Sequence, residues 1–255
     1  MARIIQITNN EASYTLDESW SFDLSELKRR LSLSDRYSKN GSNASGDRKS
    51  PARSMNFKKT FKGTSDSEYI DYLNELDIFL EETKSPFYLE DLTNSRRAQI
   101  EIDKISSTPT SDGNRYRVEN IMLGVVMLDA EWQDLEETIT DFGTMANDDT
   151  DNISNTGKET FPIVEITSNT IISEFEFRNE TNSTGFSMSL SDFDSGETII
   201  INSLTGSITK NDVDISSSIV DGGVPKISNG SNTFRYNSSS GSSDIQVKWR
   251  KVYSF

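Results

Sequence analysis

The 255-residue chain contains no cysteine and no histidine. Without cysteine there is no disulfide framework, no thiolate nucleophile and no Cys-ligated zinc or iron–sulfur centre. Without histidine there is no Ser-His-Asp triad in its usual form, no His-ligated metal and no imidazole titrating near neutral pH. Chemistry would have to rest on carboxylates, lysine, tyrosine or hydroxyls, so the reading is a non-enzyme with no cofactor and no metal. Long hydrophobic runs are missing too. No stretch approaches the ~18 apolar residues of a membrane span, and Met1-Ala2-Arg3-Ile4-Ile5-Gln6-Ile7 lacks the apolar centre of a secretory signal. The expectation is a soluble chain with no membrane insertion. Hydrophobic residues make up only 33%, yet 13 Phe, 8 Tyr and 3 Trp suffice to fill one large or two small cores.

Charge is abundant and segregated. The formal net charge is −15, and residues 1–128, 129–160 and 161–255 carry −2, −9 and −4 of it. The central segment holds ten carboxylates, among them Glu131, Asp134, Asp141, Asp148, Asp149 and Asp151, against the single cation Lys158. Its Gly/Asn/Asp/Ser-rich stretch reads as an acidic linker over 143–160. The opposite island lies between Lys28 and Arg53, with eight cations and only Asp35 and Asp47 as anions. The 38–53 part has loop composition and reads either as a cationic arm that docks on an acidic neighbour or as a solvated loop. Its candidate contact residues are Arg29, Arg30, Arg36, Arg48, Lys49 and Arg53. Specific nucleic-acid binding is not expected, because the whole protein is acidic and only Tyr37 interleaves an aromatic ring with these cations.

Hydrophobic periodicity divides the chain. In 55–63, Met55, Phe57 and Phe61 alternate with polar residues, Lys59 being the exception, which reads as a half-buried strand. Ser65 and Glu68 have capping-box spacing ahead of Tyr69, Tyr72, Leu73, Leu76, Phe79 and Leu80, so a helix is expected over about 67–83, ending before Pro86. Strands are expected at 4–7, 14–16, 87–92, 98–105 and 115–128, the last two joined through the turn at 109–114. Residues 24–33 read as a short helix or an irregular basic segment. The fold class is mainly β. An N-terminal α+β domain over 1–142, one helix on an antiparallel sheet, precedes a C-terminal antiparallel β-sandwich over 161–255, where short alternating strands recur with no helical period. In the last of them Ile245, Val247 and Trp249 face inward.

Chemical motifs are few. Asp192-Phe-Asp194-Ser-Gly196 and Asp148-Asp149-Thr-Asp151 miss the calcium-loop spacing, phosphate-binding glycine loops are absent, and no local context favours a glycosidase carboxylate pair. Trp20, Trp132 and Trp249 could form a sugar-stacking platform, though Trp249 falls on an inward position.

The order of elements resembles the phage distal tail protein family, the baseplate hub component of long non-contractile tails. The resemblance is carried by Pro162-Ile163 opening the second domain, Gly196-Glu-Thr-Ile199-Ile-Ile201-Asn202, the hairpin Gly206-Ser-Ile208-Thr-Lys-Asn211-Asp212, and Pro225-Lys-Ile-Ser-Asn229-Gly230-Ser-Asn232-Thr-Phe234. Val247-Lys-Trp249-Arg250 matches the final basic-aromatic strand. In the first half the strand, the helix, Pro86-Phe87-Tyr88 and Asp129-Ala130-Glu131-Trp132 follow the family order. Asp212 stands where the pattern has Gly, Ala130 where it has Pro, and the basic loop is longer than the pattern needs.

The resemblance implies a galectin-like C-terminal sandwich and a structural virion protein at the tail tip or baseplate, made in the host cytoplasm. It implies a homohexameric ring with the N-terminal domains around a channel through which DNA passes. It also implies contacts to the tail tube protein, to the tail hub or tail-associated protein, and to peripheral receptor-binding proteins serving host attachment. The alternative is a carbohydrate-binding module gripping a cell-surface glycan through the C-terminal sandwich.

Overall fold

A computed structural model describes residues 4–9, 11–17, 19–23, 53–61, 65–81, 85–109, 119–128 and 131–254. The chain divides into two units, Met1–Leu135 with Ser254–Phe255, and Glu136–Tyr253.

The first unit is a seven-strand antiparallel path in the order β2-β1-β5-β6-β7-β4-β3. Its members are β1 (Ile5–Thr8), β2 (Ser13–Leu16), β3 (Trp20–Asp23), β4 (Arg53–Phe61), β5 (Phe87–Asp91), β6 (Arg96–Pro109) and β7 (Glu119–Met127). The short strand β8 (Glu131–Asp134) pairs with the start of β6. The expected strands at the N-terminus and at 55–63 are present, whereas β3 and β8 are too short to show a period. The expected segment at 24–33 and the turn at 109–114, apart from Pro109, lie outside the described residues.

Strands β2 and β3 are at opposite ends of the pairing order yet are joined by a tight turn in which Trp20 N–H donates to the Asp17 carbonyl at 3.0 Å. Seven flat strands would hold their edges roughly 29 Å apart, while the four steps from Leu16 to Trp20 span at most about 14 Å. The sheet must therefore curl until its two edges approach each other.

The one α-helix among the described residues, α1 (Asp66–Phe79), covers that seam. Ser65 caps it by accepting the Glu68 N–H at 3.2 Å, as the capping spacing predicts. Its inward face is aromatic. Tyr69 and Tyr72 pack on Phe61 of β4 at ring distances of 5.4 and 5.2 Å, and Phe79 packs on Tyr14 of β2 at 5.6 Å and on Phe87 of β5 at 6.4 Å. The Tyr14 and Tyr72 hydroxyls share a 2.6 Å hydrogen bond. Tyr72 thus touches β2 at one end of the pairing order and β4 next to the other end.

The second unit is a β-sandwich. One sheet runs β10-β18-β12-β13-β17 and the other β16-β15-β14-β11-β19-β9, all antiparallel. The strands are β9 (Thr138–Ala146), β10 (Asp149–Asn155), β11 (Ile163–Ser168), β12 (Ile172–Asn179), β13 (Thr184–Phe193), β14 (Thr198–Asn202), β15 (Ser207–Lys210), β16 (Val213–Asp214), β17 (Ile219–Gly222), β18 (Gly230–Ser238) and β19 (Ser242–Trp249). Alternating inward residues build one core, with Val164, Ile166, Phe177, Phe186, Phe193, Ile201, Phe234, Tyr236, Ile245 and Val247 fully buried. On one side β9 turns into β10 through Asn147-Asp148, and on the other β16 passes to β17 through a 3₁₀ turn at Ser216–Ser218. Each pair of sheet edges is therefore joined by continuous chain, which limits the open edge available for aggregation.

The expected acidic linker is corrected by this arrangement. Residues 143–160 contain the end of β9 and the whole of β10, edge strands of the two sheets, and the unit boundary lies at 135/136 instead of near 143. Phe142, Met145 and Ile153 supply the core while the acidic and Asn residues between them face outward. Strands with one wet face made of Asp, Thr and Asn mimic linker composition, because only every second or third residue needs to be apolar.

Candidate functional site

Of the predicted contact residues, Arg29, Arg30, Arg36, Arg48 and Lys49 lie outside the described residues, and Arg53 opens β4 opposite Met127 of β7. The acidic segment divides between the units. Glu131 and Asp134 lie on β8 in the first, and Asp141, Asp148, Asp149 and Asp151 on the β9–β10 corner in the second. Among the described residues no three His, Cys, Asp or Glu side chains gather as a metal site would require. All three tryptophans are buried, at 5–6% exposure, so they form no exposed stacking platform. Trp249 is also held by its indole N–H, which donates to Thr140 Oγ1 at 3.3 Å.

Three polar constellations hold features that periodicity alone left unread. In the first unit, Lys59 breaks the alternation of β4 because its inward position lies under the helix. Its ammonium sits 4.9 Å from the Tyr72 ring centre and 5.7 Å from that of Trp20, and 3.5 Å from Asp17 Oδ2. Asp17 in turn accepts from the Ser19 hydroxyl and backbone N–H, and these bonds, the hydroxyl's foremost, hold its carboxyl below the usual range. Burial pushes the Tyr72 and Tyr14 phenols up. A lone charged exception inside an apolar alternation was the available signal.

The second constellation is on the outer face of the five-stranded sheet. Register places Arg178 of β12 opposite Arg235 of β18, a like-charge pair that would repel. Glu176 lies between them. Its Oε2 accepts from Arg235 Nη2 at 3.3 Å, and its Oε1 is 2.9 Å from Arg178 Nε at an angle too oblique for a hydrogen bond. Glu180 accepts from Arg235 Nε at 2.8 Å and Asp148 from Nη1 at 3.5 Å; the Glu180 bond leads in raising the Arg235 pKa further. Beside this network runs an open groove of about 540 Å³, lined by Glu174, Glu176, Ser187, Ser189, Val220 and Asn237 among others. It is shallow and mixed in character, with Phe175, Met188 and Val220 beside the carboxylates and serines, and offers no orphaned nucleophile or paired acid and base.

The third constellation organises the turn 223–230. Asn232, fully buried, donates to the carbonyls of Ser228 at 2.8 Å and Gly230 at 3.1 Å, and its oxygen accepts from Ser228 N–H at 2.8 Å and Asn179 Nδ2 at 2.9 Å. Asn179, also buried, donates to the Lys226 carbonyl at 2.7 Å. These bonds take the place of water for backbone groups of the turn that leads into β18. The same segment carried the family resemblance in the sequence, with Ile227 and Phe234 as its buried apolar positions.

Residues 156–253 match the family model described as siphovirus-type tail component, C-terminal domain, the SPP1 Dit family. Among solved structures, the chain is similar to the Dit protein (gp 19.1) of phage SPP1, whose structure is titled a paradigm of hub adsorption apparatus in phages infecting Gram-positive bacteria. The TM-score is 0.65 at 11% identity, covering 98% of this chain and 99% of that one. It is also similar to a chain of the phage P2 baseplate in its activated conformation with Ca, at TM-score 0.52 and 13% identity over 98% of each chain. The same baseplate with Sr gives a TM-score of 0.51 at 12% identity, over 97% of this chain and 98% of that one. No curated protein sequence matches. Residues 156–253 are thus similar to a siphovirus-type tail-component domain, and the chain as a whole shares its fold with the SPP1 Dit protein.

Proposed function

We propose that the protein is a structural component of the phage tail tip, a distal tail protein that closes into a hexameric ring and joins the tail tube to the central hub. The observation that carries this reading is the extent of the likeness. The Dit fold covers 98% of the chain and 99% of its counterpart, and the tail-component domain is matched independently over 156–253. In this arrangement the N-terminal units surround the channel, the C-terminal sandwiches lie outside, and receptor-binding proteins attach at the periphery. The partners are further copies of the chain, the tail tube protein and the tail hub or tail-associated protein, with DNA passing through without specific contact. No catalytic role is assigned, in keeping with a family of tail components and with the polar constellations, whose partners all serve structure.

Ring closure by rotation needs two different complementary patches on each subunit. The sequence supplies the charge for one of them between Lys28 and Arg53, so Arg29, Arg30, Arg36, Arg48, Lys49 and Arg53 are proposed as assembly contacts. Negative-stain microscopy of the purified full chain tests the reading. Six-fold ring averages are expected, and particles that remain single chains at concentrations of about 10 μM would count against it.

A further inference from the structure

We infer that the outward face of α1 is the acidic half of a contact between two copies of this chain, receiving the basic-apolar segment 28–37 of the neighbour. This rests on the ring reading above and names the surface involved. The helix has two apolar faces where one would serve folding. Tyr69, Tyr72, Leu76 and Phe79 face the sheet. On the opposite side Ile70 and Ile78 stand 53% and 57% exposed, in line with Asn74 at a spacing of four. At 100° per residue, Asp77 falls on one flank of this stripe and Asp71 and Glu75 on the other.

The charges toward the far end also oppose the helix's own electrostatics, although Asp66 and Glu68 in the first turn suit it. Residues 66–81 hold Asp66, Glu68, Asp71, Glu75, Asp77 and Glu81 and no cation. Asp77 occupies the last turn, which carries no basic residue to complement the negative end of the helix. An arrangement that opposes folding locally, beside exposed branched aliphatics, marks a face selected for a partner.

The partner must bring cations and apolar side chains together. This chain contains such a segment in Lys28-Arg29-Arg30-Leu31-Ser32-Leu33-Ser34-Asp35-Arg36-Tyr37, where the cations flank two leucines and a tyrosine. Leucines suit the Ile70/Ile78 stripe and arginines the flanking carboxylates. A contact between two different patches is heterologous, the kind that closes into a ring.

The test uses the full chain and a charge-reversal cycle. Asp71→Lys/Asp77→Lys reverses the helix face, Arg29→Glu/Arg30→Glu reverses the segment, and a fourth protein carries all four changes. Self-association is read by light scattering across a dilution series at low and moderate salt. Each double variant is expected to weaken association by about tenfold or more, and the quadruple variant to recover to within about threefold of wild type. A quadruple variant no better than the weaker double variant overturns the inference, as does full association by the helix variant. The same cycle in melting temperature of monomeric protein also overturns it, since the contact then lies within one chain. If a reversed helix fails to fold, Asp71→Asn/Asp77→Asn replaces it, with a loss of association and of its salt dependence expected and unchanged salt-dependent association overturning the inference. Wild type that forms no ring contradicts the ring reading itself, whereas a ring insensitive to these residues contradicts only this assignment.

Discussion

At the scale of single residues, the departures from the family pattern have local costs that can be read. Asp212 stands where the hairpin pattern has Gly, and both Asn211 and Asp212 adopt positive φ, 49° and 63°. That is the turn for which Asn-Gly is the preferred pair. Replacing Asp212 with Gly should stabilise the C-terminal unit by roughly 0.5–1 kcal/mol, seen as a higher urea midpoint at constant slope. Asn232 is the reverse case, a motif residue whose role lies in its hydrogen bonds. Asn232→Leu keeps the branched outline but takes away the partner of the buried Asn179 amide and of the part-buried Ser228 N–H and Ser228 and Gly230 carbonyls. A loss of about 2–4 kcal/mol in urea denaturation is expected, and a loss below about 0.5 kcal/mol would deny the side chain its organising role.

At the scale of elements, periodicity revealed some segments and concealed others for physical reasons. Helix α1 was legible because the capping residue, the aromatic face and the following Pro86 agree with one another. The later strands were legible because a two-sheet core demands strict alternation, as in Ile245, Val247 and Trp249. β3 and β16 span only four and two residues, too few for a period to emerge. β9 and β10 were concealed by composition, since edge strands with few buried side chains carry the Asp, Asn and Gly of a loop. Their place in the fold can be checked at Ile153, which is buried within the stretch read as linker. Ile153→Ala should cost about 2–5 kcal/mol in chemical denaturation, whereas a side chain in a true linker would change stability by less than about 0.5 kcal/mol. Of the proposed contact site the sequence disclosed its charge and the structure the opposing helix face. The helix's inward aromatics dominated the reading, and its outward isoleucines gained meaning only once their exposure was known.

At the scale of the whole molecule, the missing histidine and cysteine shape the response to pH. Among the described residues the shifted carboxylates Asp17, Glu197, Asp214 and Asp244 are all lowered by hydrogen bonds, led by Ser19, the Asp194 N–H, Ser216 and Thr144 respectively. Their stabilisation is present above the ordinary carboxylate range and is lost as pH falls through the lowered values. Tyr14, Tyr72 and Tyr236 are raised by burial, so their contribution is present below the ordinary phenol value and is lost as pH rises through the raised ones. No side chain has an ordinary pKa between these limits, so the melting temperature should stay flat from about pH 5.5 to 9 and fall on both sides. A sigmoidal step near pH 6.5 would contradict this account.

The segregation of charge belongs to the same scale. The −15 is not a uniform coat, since cations gather between Lys28 and Arg53 while carboxylates line α1 and the β9–β10 corner. Such asymmetry favours directed association of copies over mere solubility. The central claim is that this association closes at six. Native mass spectrometry of the full chain at near-physiological ionic strength measures it most directly. The account predicts a dominant species of six times the 28.7 kDa chain, dispersing as salt is raised. A monomer, or an open series of masses with no preferred number, would contradict it.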